Sequence, residues 1–177
     1  MKKVKVLLYC TKKQPYLVKD DFPLENKPIY YIHYKKDPRC FGLPLNGEIV
    51  AECEVETEEI SLSEYPYYED CSVCLLDTPT LNHDELLDKS CLCNDKLDEY
   101  LINEKGYALH ISNLKIFDKP KGLNDYNIEK APQNMMRVFD ANGNKYILIS
   151  VQSEWLCKIL NGEKTIEVRR QVLKEMK

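Results

Sequence analysis

Residues 150–170 read Ser150-Val-Gln-Ser-Glu-Trp-Leu-Cys-Lys-Ile-Leu-Asn-Gly-Glu-Lys-Thr-Ile-Glu-Val-Arg-Arg170, and this run predicts a strand end, a short helix and a second strand. Ser153 is a favourable N-cap, because a serine hydroxyl accepts a hydrogen bond from a free amide of the first helical turn. Gly162 suits the left-handed position that ends a helix. Beyond it the apolar period changes to two, which places Ile166 and Val168 on one face of a strand and Thr165, Glu167 and Arg169 on the other.

Length and composition predict one globular domain that spans residues 1–177. A chain of 177 residues with 44% hydrophobic residues can build one ordinary core and is short for two. Its apolar runs are far shorter than the roughly 20 residues that cross a bilayer, so we expect no membrane span, no signal peptide and a cytoplasmic protein. In that compartment the eight cysteines are expected to be thiols or metal ligands.

The net charge of -4 conceals a segregation along the chain. Residues 1–39 and 158–177 together hold 16 Lys and Arg against 7 Asp and Glu, whereas residues 40–157 hold 9 against 22. The ends are therefore basic and the middle is acidic. If the ends fold together, they form a positive patch that attracts phosphate; the alternative is ordinary solvated lysines.

The pattern along the rest of the chain predicts short strands and short helices. Strands are expected at 4–10, 49–58, 107–117, 135–139 and 145–151, helices at 83–89 and 95–103, and a long loop at 120–134. Asp140 to Asn144 has the composition of a hairpin turn. These elements predict an α+β fold, namely a small, mostly antiparallel and partly closed β-barrel with two or three short helices.

Two strands carry finer predictions. In 49–58 the alternation places Ala51, Cys53 and Val55 inward and Glu52, Glu54, Glu56 and Glu58 in water. In 107–117 the apolar parity slips at Ser112-Asn113, which indicates a β-bulge or a bend.

Several segments together resemble one known family. Ile149-Ser-Val-Gln-Ser-Glu-Trp155 with Lys158-Ile-Leu-Asn-Gly-Glu-Lys-Thr-Ile-Glu-Val-Arg169 resembles the opening motif of ASCH domains, which adopt a PUA-like barrel. Four further segments resemble later elements of that family, namely Val6-Leu-Leu-Tyr-Cys-Thr-Lys12, Leu45-Asn-Gly-Glu-Ile-Val-Ala-Glu52, Gly106-Tyr-Ala-Leu-His-Ile-Ser-Asn-Leu114 and Lys130-Ala-Pro-Gln-Asn134.

The order of these segments differs from the family's. Residues 145–170 carry the unit with which an ASCH domain normally opens, so the chain resembles a circularly permuted member whose ends meet near Arg170 and Lys2. A permuted monomer is favoured because each barrel element occurs once. A domain-swapped homodimer, and the truncated start of a second tandem copy, stay open as alternatives.

The resemblance implies an RNA-binding or nucleotide-binding cleft beside the barrel. Basic side chains would hold phosphates, and Tyr9 or Trp155 would stack on a base. The cleft residues that the resemblance implies are Lys164, Thr165, Glu167 and Arg169, faced by Tyr9, Thr11 and Lys12, with His110 and Gln133. Each has a structural alternative, such as an ion pair between Glu167 and Arg169 or a packing role for Trp155 and His110.

Two other function classes stay open. Some small ASCH proteins are amidohydrolases of acetylcytidine, with a threonine nucleophile three residues after the lysine; here that position is Glu167, so catalysis would rest on Lys164 and Glu167 as acid and base. Thr165 follows the lysine directly, and neighbouring strand residues point to opposite faces. The acidic middle of the chain is also compatible with a non-catalytic protein-interaction module.

Four cysteines occur in two pairs, Cys71 with Cys74 and Cys91 with Cys93. Four thiolates satisfy tetrahedral zinc, although the second pair has one intervening residue where zinc sites usually have two or more. The alternative is that these are small buried apolar residues. We therefore expect no cofactor, with structural zinc as the open alternative.

Overall fold

A computed structural model describes residues 2–11, 47–63, 75–77, 81–101 and 105–177. Its strands are β1 (Val4–Cys10), β2 (Ile49–Ser63), β3 (Leu75–Asp77), β4 (Gly106–Lys121), β5 (Met135–Phe139), β6 (Lys145–Val151) and β7 (Ile166–Arg169). The α-helices are α1 (His83–Ser90), α2 (Asn94–Leu101) and α3 (Ser153–Leu160), and two 3-10 helices lie at Leu123–Tyr126 and Lys174–Met176. No helix in these ranges combines the length and the apolar character that crossing a membrane requires.

The strands pair in the order β5-β6-β1-β2-β4-β7, with β3 paired to β2. β1 and β6 are parallel, whereas β2 with β3, β4 with β7 and β5 with β6 are antiparallel. The prediction of an α+β fold with a mostly antiparallel sheet and short helices is therefore confirmed.

The chain divides into two compact units, each built from distant segments. Unit 1 contains residues 1–3, 55–111 and 164–177, and unit 2 contains residues 4–54 and 112–163. β2 and β4 each contribute to both units, because the division falls within them. The single-domain organisation stays a prediction.

In unit 1 the two helices cover one face of the strands. Alternate residues of β2, β4 and β7 are buried there against side chains of α1 and α2, because residues of period two share one face of a strand. The buried cluster consists of Ile60, Leu81, Leu86, Leu97, Leu101, Ala108, Ile166 and Val168. The alternation predicted for β7 is confirmed, since Ile166 and Val168 are buried.

In unit 2 the parallel pair β1 and β6 forms the centre. β1 ends in five consecutive buried residues, as is typical of a strand covered on both faces. One face packs against the segment that follows β4, and the cluster consists of Leu7, Tyr9, Ile49, Tyr126, Ile128, Val138 and Leu148. The predicted 120–134 loop is thus partly wrong: β4 continues to Lys121, a 3-10 helix follows, and Tyr126 is buried because it caps this core.

The predicted irregularity in β4 is confirmed at the backbone. Asn113 has φ 50°, a left-handed value that is uncommon for any residue other than glycine. Its side chain donates a hydrogen bond to the carboxylate of Glu54 at 2.7 Å, and the Ser112 hydroxyl donates to the Glu54 carbonyl at 3.4 Å. The parity of the strand changes here because Asn113 takes this conformation.

Two local predictions are wrong. The N-cap of α3 is Gln152 and Ser153 is the first helical residue, so the serine does not cap the helix. Glu58 was expected to face water, yet it is buried, because the inward positions of β2 change from Val55 to Glu58 and Ile60. By contrast Gly162 has the predicted left-handed φ, 78°, directly after α3.

A candidate ligand site at the end of helix α1

The C-terminus of α1 is closed by residues that precede β7. An α-helix leaves its last four carbonyls without helical partners. Here the amides of Cys91 and Leu92 donate to Asp88 and Leu87, both at 3.1 Å, after Cys91 turns into a left-handed conformation. The two remaining carbonyls accept hydrogen bonds from the residues just before β7. The Lys89 carbonyl accepts from the Thr165 amide at 2.9 Å, and the Ser90 carbonyl accepts from the Lys164 ammonium at 2.5 Å.

Lys164 is a buried cation with a structural partner and a charged one. Its side chain is 2% exposed, and its ammonium lies 3.3 Å from a carboxylate oxygen of Glu167. A cation at a helix C-terminus is favoured by the partial negative charge there. Burial nevertheless lowers the pKa of Lys164, because desolvation penalises the ammonium more than the neighbouring Glu167 carboxylate compensates.

Glu167 joins Lys164 to Arg169. One carboxylate oxygen faces the lysine, and the other lies 2.8 Å from the Arg169 guanidinium. The side chains of Glu167 and Arg169 are 13% and 12% exposed, so the network is largely desolvated but reaches the surface. The network thus places two cationic side chains and one carboxylate in a region of low dielectric, where electrostatic interactions are strongest.

The register of β4 and β7 separates the predicted site residues onto two faces. Residues directly opposite each other on antiparallel strands share a face. Leu109 lies opposite Glu167 and Tyr107 opposite Arg169, whereas His110 lies opposite Ile166. The structure therefore places Tyr107 beside Arg169, and it does not bring His110 to the face that Glu167 and Arg169 occupy.

His110 belongs instead to a second buried pair. Its Nε2 lies 2.9 Å from a carboxylate oxygen of Glu58, whose side chain is 2% exposed. Since an ionised carboxylate can only accept, Nε2 carries the proton in this pair. Glu58 and His110 lie on the helix-covered face with Ile60 and Ile166, which favours the structural interpretation of His110.

Thr165 is exposed and contributes its backbone to the site. Its amide donates to Lys89, and its carbonyl accepts from the Ile111 amide at 2.9 Å. These bonds fix the path of the chain between Lys164 and β7. The hydroxyl is thus available to a ligand, while the backbone belongs to the framework.

The remaining predicted contacts lie in unit 2 or outside the described residues. Tyr9 is 3% exposed in the core, where burial raises its pKa, so its ring faces no ligand. Thr11 is half-buried, its hydroxyl has no hydrogen-bond partner among the described residues, and its amide donates to Val151. Gln133 is exposed, and Lys12 lies outside the described residues.

The cysteine and tryptophan predictions gain little from the structure. Cys71 and Cys74 lie outside the described residues; Cys91 is half-buried and Cys93 is exposed. Within the described ranges no group of three or more His, Cys, Asp or Glu side chains could hold a metal ion. Trp155 carries the Lys158 ammonium 5.2 Å from its ring centroid, in unit 2.

Three residues of these networks escaped prediction from the sequence. Ser90 contributes a backbone carbonyl, which no side-chain pattern reveals. Tyr107 reaches Arg169 only through the pairing of two strands that are distant in sequence. Glu58 had a signal: Ile60, two residues later, must be buried, and residues i and i+2 of a strand share a face.

No protein-family model, no curated protein and no solved structure matches this chain.

Proposed function

We propose that this protein binds RNA or a nucleotide at the face of β7 that bears Glu167 and Arg169. The observation that carries the proposal is the Lys164–Glu167–Arg169 network, which is largely desolvated, holds two cationic side chains on one carboxylate and reaches the surface through Glu167 and Arg169. An arginine is well suited to phosphate, because its planar donors match two oxygens. A carboxylate beside it accepts from the amino groups of a base or from a ribose hydroxyl.

Within this proposal the roles differ from those that the sequence suggested. Lys164 is buried between a helix carbonyl and Glu167, so it positions Glu167 and does not contact the ligand. Arg169 and Glu167 contact it, with the exposed Thr165 hydroxyl at the edge. A single arginine at the surface favours a short ligand, since a long phosphate track needs a row of exposed cations.

We also propose that the fold is a circularly permuted ASCH-like domain with a PUA-like barrel. Three observations support this: the helix, the left-handed Gly162 and β7 follow one another as the motif requires, β7 pairs with β4 of the same chain, and both chain ends belong to unit 1. A monomeric mass by light scattering is expected. An obligate dimer would favour strand exchange between two chains instead.

The binding proposal is tested by two neighbouring arginines. Arg169 lies in the network, whereas Arg170 is exposed, and its guanidinium lies 4.9 Å from the ring centroid of Tyr100. We expect Arg169→Gln to weaken binding of a mixed-sequence single-stranded RNA hexamer about tenfold or more, since bonds to charged groups contribute about 1.5–3 kcal/mol. Arg170→Gln removes the same charge and should change the affinity less than about threefold. Equal losses in both variants, or no binding by the wild type, would contradict the proposal.

One observation favours an amidohydrolase as the second candidate. Lys164 lies 3.3 Å from Glu167, which reaches the surface, and burial lowers the pKa of Lys164, so the lysine and the carboxylate form a pair that can exchange a proton with a substrate at Glu167. Purified protein incubated with acetylcytidine should then release acetate, and Lys164→Met should abolish the release while Arg170→Gln retains it. Absence of turnover in the wild type eliminates this candidate and leaves the binding proposal intact.

A further inference from the structure

An aromatic ring lies beside the site on the face that Glu167 and Arg169 share. Tyr107 of β4 is directly opposite Arg169 of β7, and such pairs have Cβ atoms about 4.5–5.5 Å apart. Leu109, opposite Glu167, is fully buried and continues the same face. The ring, the guanidinium and the carboxylate are therefore neighbours in one unit.

Tyr107 is only partly buried and carries a cation over its ring. Tyr107 is half-buried, and the ammonium of the exposed Lys177 lies over the ring, 4.9 Å from its centroid. A hydrogen bond with Tyr107 raises the pKa of Lys177, so the group over the ring is an ammonium. A cation on an aromatic face is attracted by the ring quadrupole and is weakly held at an exposed position.

We propose that Tyr107 is the stacking residue for a nucleobase, whose sugar and phosphate then reach Glu167 and Arg169. This inference rests on the proposed function, and it assigns the base-contacting surface within the same site. The π face of a base replaces the Lys177 ammonium on the ring. Stacking of this kind tolerates any base, because every base has a π face.

The test separates the base from the backbone of the ligand. We would measure the affinity of a mixed-sequence RNA hexamer and of an abasic hexamer with the same sugar-phosphate backbone, by fluorescence anisotropy. For the wild type the intact strand should bind about tenfold or more tightly than the abasic strand. Tyr107→Phe should retain this ratio, and Tyr107→Leu should reduce it to about twofold or less, with unchanged affinity for the abasic strand.

Tyr100→Leu is the matched control, because Tyr100 is an exposed tyrosine of the same unit that also holds a cation on its ring. It should retain the wild-type ratio. If Tyr107→Leu keeps the ratio while Arg169→Gln still weakens binding, the stacking inference is overturned and the proposed function stands. If the wild type binds neither strand, both fail. Thermal unfolding of each variant identifies a general loss of folding, and Tyr107→Phe tests the ring in a near-isosteric background.

Discussion

Glu58 and Glu167 are two carboxylates of unit 1 that lie on opposite faces of its strands, and each is paired with a basic side chain. Glu58 is 2% exposed on the helix-covered face, and its imidazole partner His110 lies beside buried apolar residues. Glu167 is 13% exposed on the other face and is shared by Lys164 and Arg169. Both resemble catalytic or ligand-binding groups when judged by residue type alone.

The two carboxylates differ in how much surface they offer to a ligand. Glu58 pairs with one imidazole on the helix-covered face and is almost fully removed from solvent there, so a ligand has little access to it. Glu167 pairs with two cationic side chains and reaches the surface on the face that also bears Tyr107. Partial exposure, more than residue type or proximity, therefore distinguishes the proposed binding site from a structural ion pair.

The largest expected effect comes from removing the cation that joins Glu167 to α1. Lys164→Met leaves the Ser90 carbonyl and one Glu167 oxygen without the ammonium, and breaking a buried pair in this way costs about 3 kcal/mol. Urea unfolding at pH 7 measures this loss of unfolding free energy. The control Lys105→Met removes an exposed lysine that pairs with Glu59 at 3.3 Å and should change stability by less than about 1 kcal/mol.

A smaller loss of unfolding free energy is expected when Glu58 loses its imidazole partner, with no effect on RNA binding. His110→Ala removes the imidazole from a buried carboxylate, so the unfolding free energy should fall by about 2 kcal/mol. The RNA affinity should stay within about twofold of the wild type, because His110 faces away from Glu167. A folded variant with tenfold weaker binding would place His110 in the site after all.

Glu167→Gln should do the opposite of His110→Ala, with a clear loss of RNA binding and a small loss of stability. The substitution keeps the shape and the acceptor oxygen but removes the charge that orders Arg169, so RNA affinity should fall about fivefold to tenfold. The loss of stability should be only about 1 kcal/mol, since Lys164 keeps its bond to Ser90. Calorimetric titration and urea unfolding of the same preparation give both numbers. Unchanged affinity would argue that Glu167, like Glu58, is structural.

The smallest expected effect is a dependence of stability on alkaline pH. The pKa of Lys164 is lowered from 10.5 in the folded protein, so between the folded pKa and 10.5 the unfolded chain binds more protons. The part of the Lys164 contribution that depends on its protonation is therefore present above 10.5 and is lost as the pH falls through the folded pKa. The difference in unfolding free energy between wild type and Lys164→Met should grow from pH 8 to pH 10.5. If this difference in unfolding free energy does not change with pH, the Glu167 carboxylate offsets the cost of burying the Lys164 ammonium.

Most helices and strands could be predicted from the sequence, because the patterns that indicate them lie within each segment. Alternation predicts β7 and its two faces, and the parity slip at Ser112-Asn113 predicts a bulge or a bend where Asn113 has a left-handed conformation. Glycine chemistry marked the end of α3. The failures of this kind are small: Gln152 replaces Ser153 as the cap, and the inward parity of β2 changes before Glu58.

The site could be predicted only in part from the sequence, because it depends on contacts between distant segments. The sequence indicates Lys164, Glu167 and Arg169 through one motif, yet it does not reveal that α1 ends on Lys164 or that Tyr107 pairs with Arg169. Strand register cannot be read from alternation alone, since every even shift preserves the pattern. The same limit explains why His110 was grouped with residues that lie on the other face.

The most direct test of the account is the map of backbone amide chemical shifts of isotopically labelled protein during titration with the RNA hexamer. The proposal predicts saturable shifts that are largest at Tyr107, Glu167 and Arg169, with small changes at Glu58 and at Gln133. Shifts centred on unit 2, on the helix-covered face around His110, or nowhere in the protein would contradict it.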